Sequence, residues 1–232
     1  MSENKGVLYL VSTPIGNLED ITYRAISTLN DVSLIAAEDT RYSRKLLNHY
    51  NIHTKMISYY EHNRENRIPF LVSNLSNGQN IAVITDAGTP GISDPAYKLI
   101  RQSINIGAKI ESIPGASAFL AALTSSGLPT DRFLFEGFLP PKKGRKKRLS
   151  KIKDVDATII YYESPNRLKR TLQQLYEFFG DRPAVVSREL TKMYEQIKRG
   201  TLLQLSNYFS DNQAKGECVI LIGKNDKNVY FK

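Results

Sequence analysis

Short runs of β-branched and aromatic residues alternate with helix-patterned segments through the first half of the chain, and that alternation leaves few folds open. Strand-like runs lie at residues 7–12, 33–37, 56–59, 81–85 and 109–113. Helical patterns fall between them at 20–29, 40–50, 64–76 and 95–105. In the first of these, Ile21, Ala25, Ile26 and Leu29 share one face. Asp94 is placed to cap the last, with Pro95 at its first helical position. Such a succession predicts a largely parallel sheet with helices on both faces. The pattern changes after Pro114. Residues 114–129 read as a helix of small residues broken by Gly127 and Pro129. Strands then crowd together at 132–138, 157–162, 184–188, 196–201 and 218–222, with one clear helix at 165–179 behind a Ser164 cap. Short turns between strands predict a mixed or antiparallel sheet. The expected class is α/β, with two α/β domains: a mostly parallel sheet in 1–115, a mixed sheet in 116–225, and a tail over 226–232. A chain of 232 residues suffices for two domains of ordinary size.

Charge narrows the class of partner. The formal net charge is +9, yet residues 142–153 carry eight positives and no acid, which leaves +1 for the rest. A patch of that density, a loop of Lys142, Lys143, Arg145, Lys146, Lys147, Arg148, Lys151 and Lys153, reads either as a solvated loop that aids solubility or, as the absence of acids favours, as a contact for a phosphate-rich partner such as RNA. One cysteine, Cys218 in an apolar run, excludes a disulfide framework, and three scattered histidines with no cysteine pair predict no metal site. No apolar run is long enough to span a bilayer, and the N-terminus lacks a signal-peptide layout, so the expected location is cytoplasmic.

Ligands of open α/β sheets sit beyond the carboxyl ends of the strands. Three loops leave such ends: "STPIGNLED" at 12–20, "ITDAGTPGISDP" at 84–95 and "IPGASA" at 113–118. Their glycines allow close backbone approach, and their small side chains leave room. No G-x-x-x-x-G-K-[ST] loop occurs and no G-x-G-x-x-G follows a strand, which argues against a nucleoside triphosphate or a dinucleotide. Pro14, Pro90, Pro95 and Pro114 withhold the N–H donors that an anion wants. Carbonyls, small residues and Asp86 suit a neutral or cationic nucleoside, and S-adenosylmethionine, a nucleoside beside a sulfonium, has that character. Four charged sets also follow apolar strands: Glu38, Asp39, Thr40 and Arg41; Glu61, His62 and Asn63; Glu163, Ser164, Asn166 and Arg167; Arg188, Glu189, Thr191 and Lys192. Each reads either as a structural ion pair or as acid–base equipment, and His62 taken alone reads as a surface hydrogen-bonding residue.

"STPIGNLEDITYRA", "AEDTR", "DAGTPGISDP", "PGASA", "GFLP", "YESPNR", "RELTK" and "KGECVI" occur in this order over residues 7–224. Together they resemble the tetrapyrrole methylase-like (class III) S-adenosylmethionine-dependent methyltransferases, and within them the branch that acts on small-subunit ribosomal RNA. The resemblance implies methylation of the ribose 2′-hydroxyl of a cytidine in the decoding region of 16S rRNA by a homodimer. It further implies a cofactor cleft between the two domains. The cofactor residues it implies are Pro14 and Gly16; Asp86, Ala87, Gly88 and Ile92; Ser117 and Ala118; and Phe138, Leu139, Tyr162, Leu190 and Gly216. The RNA-facing residues it implies are Arg41, His62, Asn63, Arg167, Arg188 and Lys192, beside the basic segment. A ribose hydroxyl needs a base, for which Glu38 and Asp39 come first and Glu163 second, ahead of Glu189 and His62. The chain departs from the family in two ways: members commonly carry a further C-terminal segment, and Ala96 and Ala116 stand where Gly and Pro are commoner. Two rival readings are a tetrapyrrole methyltransferase, and an RNA-binding ribosome-assembly factor without catalysis.

Overall fold

A computed structural model describes residues 5–231; residues 1–4, at the head of the expected first domain, and residue 232, at the end of the expected tail, lie outside it. The chain divides into two compact units, Met1–Ser117 and Ala118–Lys232.

The first unit runs β1 (Val7–Val11), α1 (Tyr23–Asp31), β2 (Leu34–Ala37), α2 (Thr40–His49), β3 (Met56–Ser58), α3 (Arg64–Ser76), β4 (Ile81–Ile84), α4 (Ala96–Asn105) and β5 (Lys109–Ile113). Its five strands are all parallel, in the order β3-β2-β4-β1-β5. The period-two alternation of the strands sorts the core into two layers. Ile81 and Val83 face Leu71, Leu75 and Leu99 from α3 and α4, whereas Ala82 and Ile84 face Ala25, Leu29 and Leu47 from α1 and α2. A sheet apolar on both faces needs this double cover. Two helix starts differ from expectation. Helix α1 begins at Tyr23 rather than residue 20, because the Thr22 side chain accepts the Ala25 N–H and Leu18–Asp20 closes a separate 3-10 turn. Pro95 is the N-cap of α4 rather than its first residue; Asp94 still accepts the Ala96 N–H at 2.8 Å.

The second unit runs α5 (Ala118–Ser126), β6 (Phe133–Phe138), α6 (Arg145–Lys151), β7 (Thr158–Glu163), α7 (Pro165–Phe179), β8 (Pro183–Arg188), β9 (Gln196–Thr201), α8 (Leu202–Asp211) and β10 (Cys218–Ile222). The sheet order is β6-β7-β10-β8-β9, parallel between β6 and β7 and antiparallel elsewhere. Ile159, Tyr161, Val186, Cys218 and Ile220 pack against Leu149, Leu172 and Leu205 of α6, α7 and α8. Burial in that core pushes the Cys218 thiol up to about 11 and leaves it an inert apolar filler. Two elements were not expected. The basic segment is not a loop throughout, since residues 145–151 form α6. Residues 202–211 form α8, so β9 and β10 are not joined by a short turn. Ser164 is the N-cap of α7, but its side chain makes no capping bond; Pro165 at the first helical position starts the helix instead. Among the described residues no helix is long and apolar enough to cross a membrane.

Candidate active site

In the first unit the chain leaves β1 for the face covered by α1 and leaves β4 for the face covered by α4. These neighbouring strands therefore send their exits to opposite sides, which opens a crevice at their carboxyl ends. The two exit loops clasp one another. Thr13 and Gly88 exchange both backbone hydrogen bonds at 2.9 and 3.0 Å, and the Thr13 hydroxyl donates to the Thr85 carbonyl at 3.0 Å. Gly88 sits at φ +89°, which favours glycine. The loop after β5 joins them: the Thr89 hydroxyl lies 3.0 Å from the Ser12 hydroxyl and 3.2 Å from the Ala116 carbonyl. The three loops singled out in the sequence thus meet on one sheet edge. Beside them lies a cavity of about 250 Å³ lined by Pro14, Gly16, Tyr42, Lys45, Thr85 and Asp86. That is a little below the roughly 300–1,000 Å³ of ligand pockets. Its chemistry fits S-adenosylmethionine: the Asp86 carboxylate for a cation, Pro14 and Gly16 for the neutral nucleoside, and Lys45 for a carboxylate.

The two acids after β2 have different partners. Glu38 accepts the Thr85 hydroxyl at 2.5 Å and the Asp86 N–H at 3.4 Å, both through Oε2, and among the described residues Oε1 makes no hydrogen bond. Asp39 caps α2 and is gripped by Arg41: its oxygens accept from the Arg41 Nη2 at 2.8 Å, the Nε at 3.2 Å and the backbone N–H at 2.8 Å. The Arg41 guanidinium, then its backbone N–H, hold the Asp39 carboxyl down to about 2. Asp86 turns its Oδ1 to the Asp39 N–H at 3.0 Å. Asp94 is pushed up by burial, with the Glu38 charge adding to that effect. A small cavity joins Glu38, Tyr59 and Asp94, and burial pushes the Tyr59 phenol up to about 12. Thr13 and Thr85 lie within the loops read from the sequence but were not singled out there, and Tyr59 was read only as the end of a strand. Ala87, Ile92, Arg41 and His62 are exposed, and Arg41 is 90% so. The Asn63 amide bonds within its own turn, with Ser58 and the Tyr60 N–H as partners.

In the second unit Glu163 is 2% exposed and fully engaged. Its Oε1 accepts from the Ser164 N–H and the Arg167 Nε, both at 2.8 Å; its Oε2 accepts from the Thr171 hydroxyl at 2.6 Å and the Arg167 Nη2 at 3.1 Å. A carboxylate so occupied anchors structure and has no lone pair to offer a substrate, which corrects its candidacy as the base. Arg145, expected among the RNA-facing cations, is 6% exposed and bonded internally, so that placement is corrected too. Lys142, Lys143, Lys146 and Lys147 are exposed, and Arg148 lies half in solvent on Glu136 at 2.5 Å. Tyr162 accepts the Phe119 N–H at 3.3 Å and packs against Phe138, 5.5 Å between ring centres, while Leu139 is buried. The loop after β8 holds Glu189 at φ 51° and Thr191 at φ 65°, costly angles for side-chain-bearing residues. Lys192 holds it in place by bridging Glu189 at 3.0 Å and Glu217 at 2.8 Å, and Gly216 leaves room for the Glu189 carboxylate. Burial opposes the charge, but the Lys192 ammonium and the Glu217 N–H outweigh it and hold the Glu189 carboxyl below its ordinary value. Arg188 donates to Gln196 at 2.9 Å, and Leu190 is buried. No metal-binding cluster of His, Cys, Asp or Glu exists among the described residues.

Known proteins agree with this architecture. Solved structures with the same fold include a uroporphyrin-III-C-methyltransferase from Thermus thermophilus, with a TM-score of 0.68 at 17% identity over 95% of each chain. Another is a cobalt precorrin-4 methyltransferase, with a TM-score of 0.66 at 20% identity over 94% of each. Nearer in sequence are proteins named ribosomal RNA small subunit methyltransferase I. That of Halalkalibacterium halodurans is 50% identical over 97% of this chain and 78% of its own length. Those of Synechocystis, at 52% over 94% and 79%, and Bacillus subtilis, at 47% over 97% and 77%, are similar. The family model for tetrapyrrole (corrin/porphyrin) methylases matches residues 7–206. The chain belongs to the tetrapyrrole (corrin/porphyrin) methylase family and is an S-adenosylmethionine-dependent methyltransferase.

Proposed function

We propose that the protein methylates the ribose 2′-hydroxyl of a cytidine in the decoding region of small-subunit ribosomal RNA, as a cytoplasmic homodimer. The observation that carries the choice of RNA is the contrast in identity: about half of the residues match relatives named for that RNA, against a fifth or fewer for the tetrapyrrole enzymes of the same fold. The exposed lysines of the basic segment supply the polyanion contact. Phe133 and Phe138, 44% and 54% exposed, offer apolar surface for a second copy.

Pro14, Gly16, Asp86 and Gly88 are the first-unit residues that hold the cofactor. When bound, S-adenosylmethionine supplies an electrophilic methyl group. The protein's part is to align the ribose oxygen, exclude water and take the proton. Glu38 is the acid placed for the last task. Its Oε2 is pinned by Thr85 and the Asp86 N–H, which fixes the carboxylate, and Oε1 remains to accept. Asp39 is unsuited, because a group held near 2 accepts a proton poorly at neutral pH. Glu38→Gln keeps the shape and removes the base, so turnover falls by about 10²–10⁴-fold with cofactor affinity within a factor of two. The test is transfer of labelled methyl from S-adenosylmethionine to small ribosomal subunits lacking the modification, with the methylated nucleotide mapped. Label on one ribose 2′-oxygen of a decoding-region cytidine supports the reading; label on a base, or on added tetrapyrrole alone, overturns it.

A further inference from the structure

We propose that Arg145 is a positioning residue for the RNA substrate: turned inward from the basic segment, it fixes the helix that presents the lysines. The inference rests on the reading that these lysines meet RNA. Helix α6 has only seven residues, far short of the roughly 12–15 at which an isolated helix becomes marginal in water. Its like charges repel at i,i+3 and i,i+4 spacing, and Gly144 before it makes no capping bond. The segment must therefore be held from outside.

Two residues one turn apart, Arg145 and Leu149, are buried on its inner face. Leu149 fills the core. Arg145 fixes direction, because its planar fork reaches three places at once: Nε donates to Gln174 at 2.7 Å, Nη2 to Thr171 at 2.7 Å and Nη1 to the Pro140 carbonyl at 3.3 Å. Glu163 lies 3.9 Å from Nη1 and neutralises the group. Arg182 secures the far end of the segment by donating to the Lys153 carbonyl at 3.0 Å. Lys142, Lys143, Lys146, Lys147, Lys151 and Lys153 are left exposed. An apolar residue would bury as well without the desolvation that a charge suffers. What the guanidinium adds is a single orientation of the helix, and with it a fixed spacing of the ammonium groups.

The experiment compares the full chain with Arg145→Lys, which keeps the net charge but loses the fork, and with a quadruple variant in which Lys142, Lys143, Lys146 and Lys147 are changed to Gln. Labelled small-subunit ribosomal RNA is titrated at several salt concentrations, KM and kcat are measured on small ribosomal subunits, and cofactor binding is followed by calorimetry. Each lost lysine contact lowers the salt slope by about 0.7–0.9. Arg145→Lys is expected to lower it by about 1–2 and to raise KM for the subunit about tenfold, with kcat and cofactor affinity changed less than twofold. If the quadruple variant weakens RNA binding and Arg145→Lys binds like the parent, the positioning role is overturned while the RNA reading stands. If the quadruple variant binds RNA like the parent, the lysines do not meet RNA and both fall. An equal loss of kcat, RNA affinity and cofactor affinity marks a merely structural arginine and also overturns the role. Gln174→Met, at a half-buried site, loosens the same fork and takes the place of Arg145→Lys should that variant fail to fold; a parent-like slope there overturns the role as well.

Discussion

Glu38 and Asp39 are adjacent in the chain and opposite in chemistry. Asp39 caps a helix and sits in the fork of Arg41, while Glu38 keeps one oxygen free. The Asp39 pair is solvent-exposed and adds little stability. Its folded pKa is depressed, so the interaction is complete above the ordinary carboxylate range and is lost as pH falls through about 2. Carbon-13 NMR titration is expected to place the Asp39 midpoint near 2, and Arg41→Ala to return it to the usual range; an unshifted midpoint in the parent would contradict the fork. "AEDTR" made both acids visible in the sequence, but not their roles, because Thr85 and Asp86 lie 47 and 48 residues from Glu38. Arg145 was illegible for a related reason. Eight cations in twelve residues look alike until Thr171 and Gln174 arrive from α7. Gly216 offers a sharper test. At φ +78° any side chain is strained, and a Cβ there would collide with the Glu189 carboxylate. Gly216→Ala is expected to cost more than about 1 kcal/mol in denaturant unfolding.

Elements with a clear period were legible almost to their ends: the ten strands of the described residues and the helices at 40–49, 64–76 and 165–179. The misses had physical causes. Helix α6 is built from a composition that opposes helix formation and exists through its contacts. Helix α8 was hidden by the strand that runs directly into it, although its start is written in the sequence. Thr201 and Gln204 form a reciprocal capping box, with the Thr201 hydroxyl accepting the Gln204 N–H at 3.3 Å and the Gln204 side chain accepting the Thr201 N–H at 2.9 Å. Thr201→Ala is expected to cost about 1 kcal/mol, read as a lowered melting temperature with the methyl-transfer rate at 25 °C retained. A larger loss belongs to α7, where Leu172 is fully buried among the second-unit core. Leu172→Ala leaves a cavity and is expected to cost about 2–5 kcal/mol by the same measurement.

At the scale of the whole molecule, two sheets of five strands were foreseeable from where the strand spacing changes, but the strand order was not, since adjacency in a parallel sheet is set by packing and not by chain order. That order has a consequence for synthesis. β1 is made first yet pairs only with β4 and β5, and β4 is the strand that stands between β1 and β2. A growing chain that has reached residue 80 holds β1 without a neighbour and β2 with β3 alone. A fragment of residues 1–80 is expected to melt without cooperativity, and one of residues 1–117 with it, by circular dichroism. The crevice between the exits of β1 and β4 cannot exist in part: it comes into being when a late strand is threaded between two early ones. Until then the β1 backbone has no strand to pair with, and Leu8 and Val11, buried in the finished unit, lack their cover.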